Sequence, residues 1–378
     1  MEKQTFLSRD RIGQFSFFLA FMLLLFVDYV SATYVSLTVA GRLIQLALLL
    51  LLVKVALTPY GWKEWIGTGI LLAIGVLSYL TTDSYMVCEF FLFVIAAKRI
   101  EKRKAVKLYL VVVGGITLLA LAASLTGVFG EAYQILNFRG NGEELRYCFG
   151  YNHPNTCHIV YLQLALAVVW LYYEKMKWYH MMPFLILNGV LGFFTDSRTG
   201  LLLGTVLFVL LAVFKVWDRL RQAAALYWLN FAALAGSLIM SVLAVTVGVN
   251  NPLLQAFDKL WTGRILYAEI ESSKSQISLL SDVDLQISCD MGFVKLFYNY
   301  GVIFFALFLA LLIRLLYLNQ KRKDTAELLL LFAAIIFLFG EKFSSGEFIT
   351  RNILVVFMIG IWQECDGRKG ISEGYQRL

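Results

Sequence analysis

Long apolar runs with almost no polar interruption constrain this chain more than any other feature. Examples are the runs 15–27, 43–53 and 301–312. Because a helix crosses the hydrocarbon core of a bilayer with about 20 mostly apolar residues, such runs predict membrane-spanning helices. Charged residues make up 16% of the chain, against about 25% in soluble domains. The sequence therefore predicts an all-α, polytopic integral membrane protein.

The apolar runs predict about twelve transmembrane helices in a single membrane domain, 1–378. Four of the runs are short, so their boundaries are soft, and a re-entrant segment among them is an open alternative. The predicted spans are 13–33, 36–56, 65–82, 84–97, 106–129, 156–173, 181–195, 199–216, 223–247, 292–317, 326–340 and 348–363.

The distribution of lysine and arginine predicts which side of the membrane each loop faces. With both termini inside, the inner side carries 23 basic and 11 acidic residues, a net charge of +12. The outer side then carries 10 basic and 15 acidic residues, a net charge of −5. This is the positive-inside pattern, so we expect cytoplasmic termini, including the tail 366–378. The basic net charge reflects topology and anionic lipid, and indicates no nucleic-acid partner.

Two long polar loops, 130–155 and 248–291, fall on the predicted outer side. Long loops of this kind often carry function. In the first loop, Arg139 and Arg146 bracket a glycine-rich stretch. In the second loop, Arg264 follows a glycine. Because the outer side carries few cations, these three arginines are candidates for a functional role.

Two helices that start on the outer side open with polar motifs. The sixth span follows the sequence GYNHPN at 150–155, in which Asn152 is predicted to cap the helix and the proline fits only its first turn. His153 is therefore expected at a helix N-terminus, at the depth of the lipid headgroups. The eighth span follows TDSRTG at 195–200, with Arg198 in its first turn.

A cation in the first turn of a helix opposes the helix dipole, and a bound anion offsets that cost. Two such helix ends on one side of the membrane, with several arginines, therefore predict a diphosphate site. The alternative for each arginine is simple contact with lipid phosphates. The candidate diphosphate ligands are Arg139, Arg146, Arg198 and Arg264.

Two side chains are candidates for accepting a proton, Asp290 at the start of the tenth span and His153. For both, helix capping is the alternative interpretation. His153 and His158 would lie on different faces of a helix, so no metal site is predicted. Only Cys148 and Cys289 fall outside, and a disulfide between them is the less favoured interpretation.

These motifs resemble the O-antigen polymerase/ligase family. The resemblance rests on GYNHPN, on DSRTG and on a large outer loop that ends in Asp-x-Gly-x8-Gly between Asp290 and Gly301. It extends over most of the chain, although only the short motifs are specific. Arg139 and Gly150 also fit the arginine, ten residues and glycine of some of these polymerases.

The resemblance implies a helical fold similar to GT-C glycosyltransferases in the bacterial plasma membrane. The activity it implies is the joining of undecaprenyl-diphosphate-linked oligosaccharides into capsular polysaccharide, exopolysaccharide or O-antigen, without cofactor or metal. Outer-loop arginines would grip the diphosphate, and Arg198, Asp290 and His153 are the catalytic candidates. A flippase and a chain-length regulator of the same pathway are the implied protein partners.

Ligases of this family carry a histidine and a small polar residue where this chain has Asp290 and Met291. This departure favours a polymerase, and a ligase that transfers finished chains is the alternative. A transporter or flippase is the rival from another class. It is expected to have ionisable residues near the bilayer midplane, and Glu89 is the main mid-span acid in the sequence. No feature favours a membrane scaffold.

Overall fold

Helices form most of the computed structural model, which describes residues 2–136, 143–261, 263–340 and 351–362. One antiparallel hairpin joins β1 (Tyr133–Leu136) to β2 (Glu144–Tyr147). The all-α prediction is confirmed for these residues. The helices are α1 (Glu2–Val30), α2 (Ala40–Leu57), α3 (Trp62–Thr82), α4 (Met86–Ala96), α5 (Lys102–Leu125), α6 (Pro154–Tyr172), α7 (Met182–Thr195), α8 (Arg198–Val216), α9 (Asp218–Gln222), α10 (Leu229–Thr246), α11 (Pro252–Leu260), α12 (Arg264–Ser273), α13 (Gly292–Arg322), α14 (Thr325–Gly340) and α15 (Leu354–Phe357).

Eight helical segments of the described chain are long and apolar enough to cross a membrane. They correspond to α1, α2, α3, α5, α6, α8, α10 and α13. The apolar segment of α1 begins at Arg9, that of α6 extends to Lys175, and that of α10 begins at Ala224. The membrane prediction is therefore confirmed. The other four predicted spans are helical but shorter: α4 has 11 residues, α7 has 14 and α14 has 16, and α15 continues as a 3-10 turn to Trp362. The count of twelve spans stays a prediction.

The short helices α4 and α14 lie in the protein interior. Every residue of α4 except Cys88 is buried, and every residue of α14 except Phe332 and Ile336. A helix that is apolar on all sides is typical of a core surrounded by other helices. These two helices therefore belong to the interior of the bundle rather than to its surface.

The two long loops lie at the same end of the helix bundle, which we call the loop end. The backbone of Thr33, after α1, pairs with Tyr151 from the first loop. The hydroxyl of Ser78, near the end of α3, hydrogen-bonds Ser281 in the second loop. The opposite end, which carries the Lys98–Lys104 cluster, is the basic end.

The helix α13 is broken at Gly301, whose φ of 78° and ψ of 167° lie far outside the helical range. The break leaves helical amides without intrahelical partners. The second loop supplies them, because Val302 N–H donates to the Ser278 carbonyl at 3.0 Å and Ile303 N–H to the Leu279 carbonyl at 3.1 Å. The broken helix thus anchors the second loop to the bundle.

Replacing Gly301 with alanine is expected to lower the free energy of unfolding by about 2 kcal/mol or more. Its backbone conformation is accessible almost only to glycine and costs other residues about 1–3 kcal/mol. An added Cβ would also lie 2.7 Å from the Leu279 carbonyl oxygen. Thermal unfolding in detergent measures the effect. Gly114→Ala is the matched control, because a Cβ there meets nothing within 4 Å, and equal melting of Gly301→Ala and the parent would contradict the prediction.

A buried ion cluster ties helices together at the basic end. The Glu327 carboxylate contacts Lys102 Nζ at 2.5 Å and Arg322 Nη2 at 3.2 Å. The side chains of Lys102 and Glu327 are 5% and 1% exposed. Asp324 accepts from Trp170 Nε1 at 3.2 Å, and burial raises the pKa of the Asp324 carboxyl. These contacts join α5, α6 and α13 to the start of α14.

Candidate functional site

The buried side chain of Arg146, on β2, joins the two polar motifs at the loop end. Its Nε donates to the Thr195 carbonyl at 2.8 Å, and its Nη2 donates to Asn155 Oδ1 at 2.8 Å and to the Asp196 carbonyl at 3.1 Å. The planar guanidinium suits this task because it satisfies several acceptors at once. Its positive charge also complements the carbonyl end of α7. One side chain thus fixes the start of α6 against the corner between α7 and α8.

His158 makes a second connection between the same helices, one turn deeper. Its ring is fully buried, with Nε2 3.0 Å from Asn188 Oδ1 and Nδ1 3.1 Å from Thr195 Oγ1. Since Asn188 Oδ1 can only accept, we assign the proton to Nε2. A Cβ on Gly200 would lie 2.8 Å from this ring, so the glycine of TDSRTG permits the close contact. His158 was not among the predicted site residues, and Gly200 was the sequence signal for this close contact.

Arg198 lies in the first turn of α8, and its side chain is exposed. It makes no hydrogen bond or ion pair to any residue that the structure describes. The preceding N-cap, Ser197, makes no side-chain capping bond. The guanidinium of Arg198 and the first amides of α8 are therefore available to an anion from the loop end.

His153 caps α6, because its Nδ1 accepts from the Asn155 N–H at 3.1 Å. Asn152 was the predicted cap. It instead donates its backbone N–H to the Ala32 carbonyl at 2.9 Å, where the loop crosses the end of α1. A neutral imidazole has one acceptor nitrogen, and in His153 that nitrogen is in use. The capping alternative for His153 is therefore realised in this structure.

Asp290 is half-buried and directly precedes Met291, the N-cap of α13. The N-cap position of α13 is held by Met291 and not by Asp290. Cys289 and Lys295, which lie near Asp290 in the sequence, are buried. Lys295 is 6% exposed, and burial raises the pKa of the Cys289 thiol to about 11.

Cys148 and Cys289 are free thiols, so the less favoured disulfide does not form.

Arg264 is buried at the start of α12 and donates from Nη1 to the Gly340 carbonyl, at the end of α14. The first amides of α12 are already bound. Asp258 Oδ1 accepts from the N–H groups of Ile265 at 2.7 Å and Leu266 at 3.1 Å. Arg264 therefore has a positioning role in this structure. Arg139, the fourth predicted arginine, lies outside the described residues.

The Arg264 contact lies level with the start of α6. The helices α6 and α14 pack together, and Trp170 meets Asp324 at their basic end. From Trp170 to Pro154, and from Asp324 to Gly340, the helical rise is about 24 Å in each case. The Arg146 and Arg264 contacts thus lie at the loop ends of two neighbouring antiparallel helices.

Arg351 is a cation at the loop end that the sequence analysis did not select. Its Nε donates to the Asp28 carbonyl at 2.7 Å, and its own carbonyl accepts from the Tyr29 hydroxyl at 3.2 Å. The available signal was its position, since it is one of the ten cations on the predicted outer side. Its place within the predicted span 348–363 set it apart from the arginines of the long loops.

Comparison of the chain with family models, with curated proteins and with solved structures found no match. The resemblance to the O-antigen polymerase/ligase family therefore rests on the short motifs alone.

Proposed function

We propose that this protein is a polysaccharide polymerase that joins polyprenyl-diphosphate-linked oligosaccharides on the outer face of the bacterial plasma membrane. One observation carries the proposal. Arg146 holds GYNHPN and TDSRTG side by side at the loop end, while Arg198 remains exposed at the start of α8. An exposed guanidinium beside free helix amides suits a lipid-linked diphosphate.

The proposed reaction is an inverting glycosyl transfer. A hydroxyl of one lipid-linked unit attacks the anomeric carbon of another, a new C–O bond forms, and the bond to the diphosphate breaks. Arg198 and the amides of α8 stabilise the charge that develops on the departing diphosphate. Asp290 accepts the proton of the attacking hydroxyl, since His153 already uses its acceptor nitrogen. Arg146 and Arg264 hold the helix ends around the site.

The membrane arrangement proposed for this reaction has the loop end outside and both termini in the cytoplasm. In this arrangement the chain has twelve membrane spans and a fold similar to that of GT-C glycosyltransferases. The predicted net charges, +12 inside and −5 outside, support this orientation. A flippase and a chain-length regulator remain the proposed partners, and no cofactor or metal is invoked.

The position of Glu89 bears on the transporter alternative. The sequence suggested a mid-span acid, but Glu89 lies in the first turn of α4, near the loop end. The broken helix α13 is a feature typical of transporters. Its freed amides are nevertheless bound by the second loop at Ser278 and Leu279. Both observations favour a site at one membrane surface over a site at the midplane.

The test uses the lipid-linked single unit purified from cells that lack the gene for this chain. The pure protein in detergent or vesicles is expected to convert this unit into a ladder of longer lipid-linked products. Transfer to a different acceptor, without a ladder, would favour a ligase. Uptake of the unit into vesicles without any new glycosidic bond would favour a flippase and overturn the proposal.

A further inference from the structure

Glu89 is a buried carboxyl group that the proposed reaction does not use. Its side chain is 1% exposed, and neither carboxylate oxygen has a hydrogen-bond donor within the described part of the chain. Most buried polar groups in proteins are hydrogen-bonded, and an unsatisfied one costs stability. An ionisable residue within a membrane domain is therefore a candidate for function.

Glu89 has an acidic neighbour, and both residues lie beneath the part of the first loop that carries GYNHPN. Asp28 on α1 is close enough to interact electrostatically with Glu89, and Arg351 donates to the Asp28 carbonyl. Four residues further along the chain, just after α1, the Ala32 carbonyl accepts from Asn152 N–H at 2.9 Å. The first loop therefore crosses α1 one turn above this buried acidic position.

Glu89 is also close to the surface of the loop end. It lies three residues after the start of α4, a rise of about 4.5 Å. The residues just before α4, Ser84 and Tyr85, are half-buried. A ligand that enters from the loop end thus needs to penetrate about one helical turn to reach the carboxylate.

A purely structural role does not account for Glu89. The buried Glu327, by contrast, is held by Lys102 and Arg322. Glu89 has no such donors among the described residues, so it gives α4 no comparable tie to its neighbours. The Glu89 carboxyl oxygens are therefore available to accept hydrogen bonds from a ligand that carries donor groups.

We propose that Glu89 accepts hydrogen bonds from sugar hydroxyl groups of the lipid-linked oligosaccharide. The inference rests on the proposed function, because sugars are the hydroxyl-rich part of that substrate. Arg198 would bind the diphosphate, and Glu89 would recognise the sugar beneath GYNHPN. Glu89 thus becomes a determinant of sugar specificity.

Glu89→Leu and Glu89→Gln test the proposal. The leucine variant is expected to lower the affinity for the lipid-linked single unit by up to about tenfold, the upper end of what one hydrogen bond contributes. The glutamine variant, which keeps one acceptor oxygen, is expected to lose less. Affinity for undecaprenyl diphosphate without sugar is expected to stay unchanged in both. Thermal unfolding provides the fold control, and we expect neither variant to melt below the parent.

Each other result overturns the inference. Equal affinity of the parent and the leucine variant for the sugar-bearing lipid would show that Glu89 does not contact sugar. An equal loss for both lipids would show that it acts through the fold or the diphosphate. If only the leucine variant unfolds, the affinities of the glutamine variant for the lipid with sugar and the lipid without sugar are compared with those of the parent in the same way. Failure of the proposed function is distinct, since the parent itself would then form no ladder.

Discussion

Replacing Arg198 with alanine is expected to slow polymer formation by about 100- to 1000-fold, the usual effect of removing one donor that stabilises developing charge. The side chain is exposed and has no partner among the described residues, so its removal breaks no contact seen in the structure. The melting temperature should therefore remain that of the parent. The measurement is the rate of ladder formation from the lipid-linked single unit.

Two variants serve as controls for the Arg198 prediction. Arg198→Lys keeps the charge but loses the planar fork, so we expect an intermediate rate. Arg146→Gln removes the buried connection to Thr195 and Asp196. It should lower both the rate and the melting temperature. Long chains formed at the parental rate by Arg198→Ala would contradict its assignment to the diphosphate.

Replacing Glu327 with glutamine is expected to lower the free energy of unfolding by about 3–5 kcal/mol, because removing one member of a buried ion pair leaves the other uncompensated. Lys102 would lose its ion-pair partner and keep its contacts with the rings of Trp170 and Phe357, at 5.0 and 5.1 Å from their centroids, and the attraction of Asp324. Desolvation in this position penalises an isolated ammonium group. Chemical or thermal unfolding in detergent measures the loss.

The matched variants for Glu327 separate charge from packing. The double variant Lys102→Met with Glu327→Leu removes both charges and is expected to recover most of the lost stability. Glu89→Gln replaces an equally buried acid that has no donor in the described part of the chain, and it should leave the melting temperature unchanged or raise it. Equal melting of Glu327→Gln and the parent would contradict the importance of the ion cluster.

The sequence by itself determined the fold class and the places where the motif-bearing helices begin. The sixth and eighth spans were predicted to start at 156 and 199, and α6 and α8 begin at Pro154 and Arg198. These features are local, because the start of a helix depends on residues that are adjacent in the sequence. Here these are a proline in the first turn and the apolar run that follows it. Local pattern sufficed for them.

Only the tertiary structure decided which of the candidate side chains are already bound. Arg146 meets the carbonyl of Thr195, 49 residues away, and Arg264 meets that of Gly340, 76 residues away. No local pattern distinguishes these buried arginines from the exposed Arg198, because hydrogen bonds between distant residues depend on how the helices pack. The same reason applies to Glu89. The sequence shows an acid within an apolar run, but its lack of a donor among the described residues depends on its neighbours across the bundle.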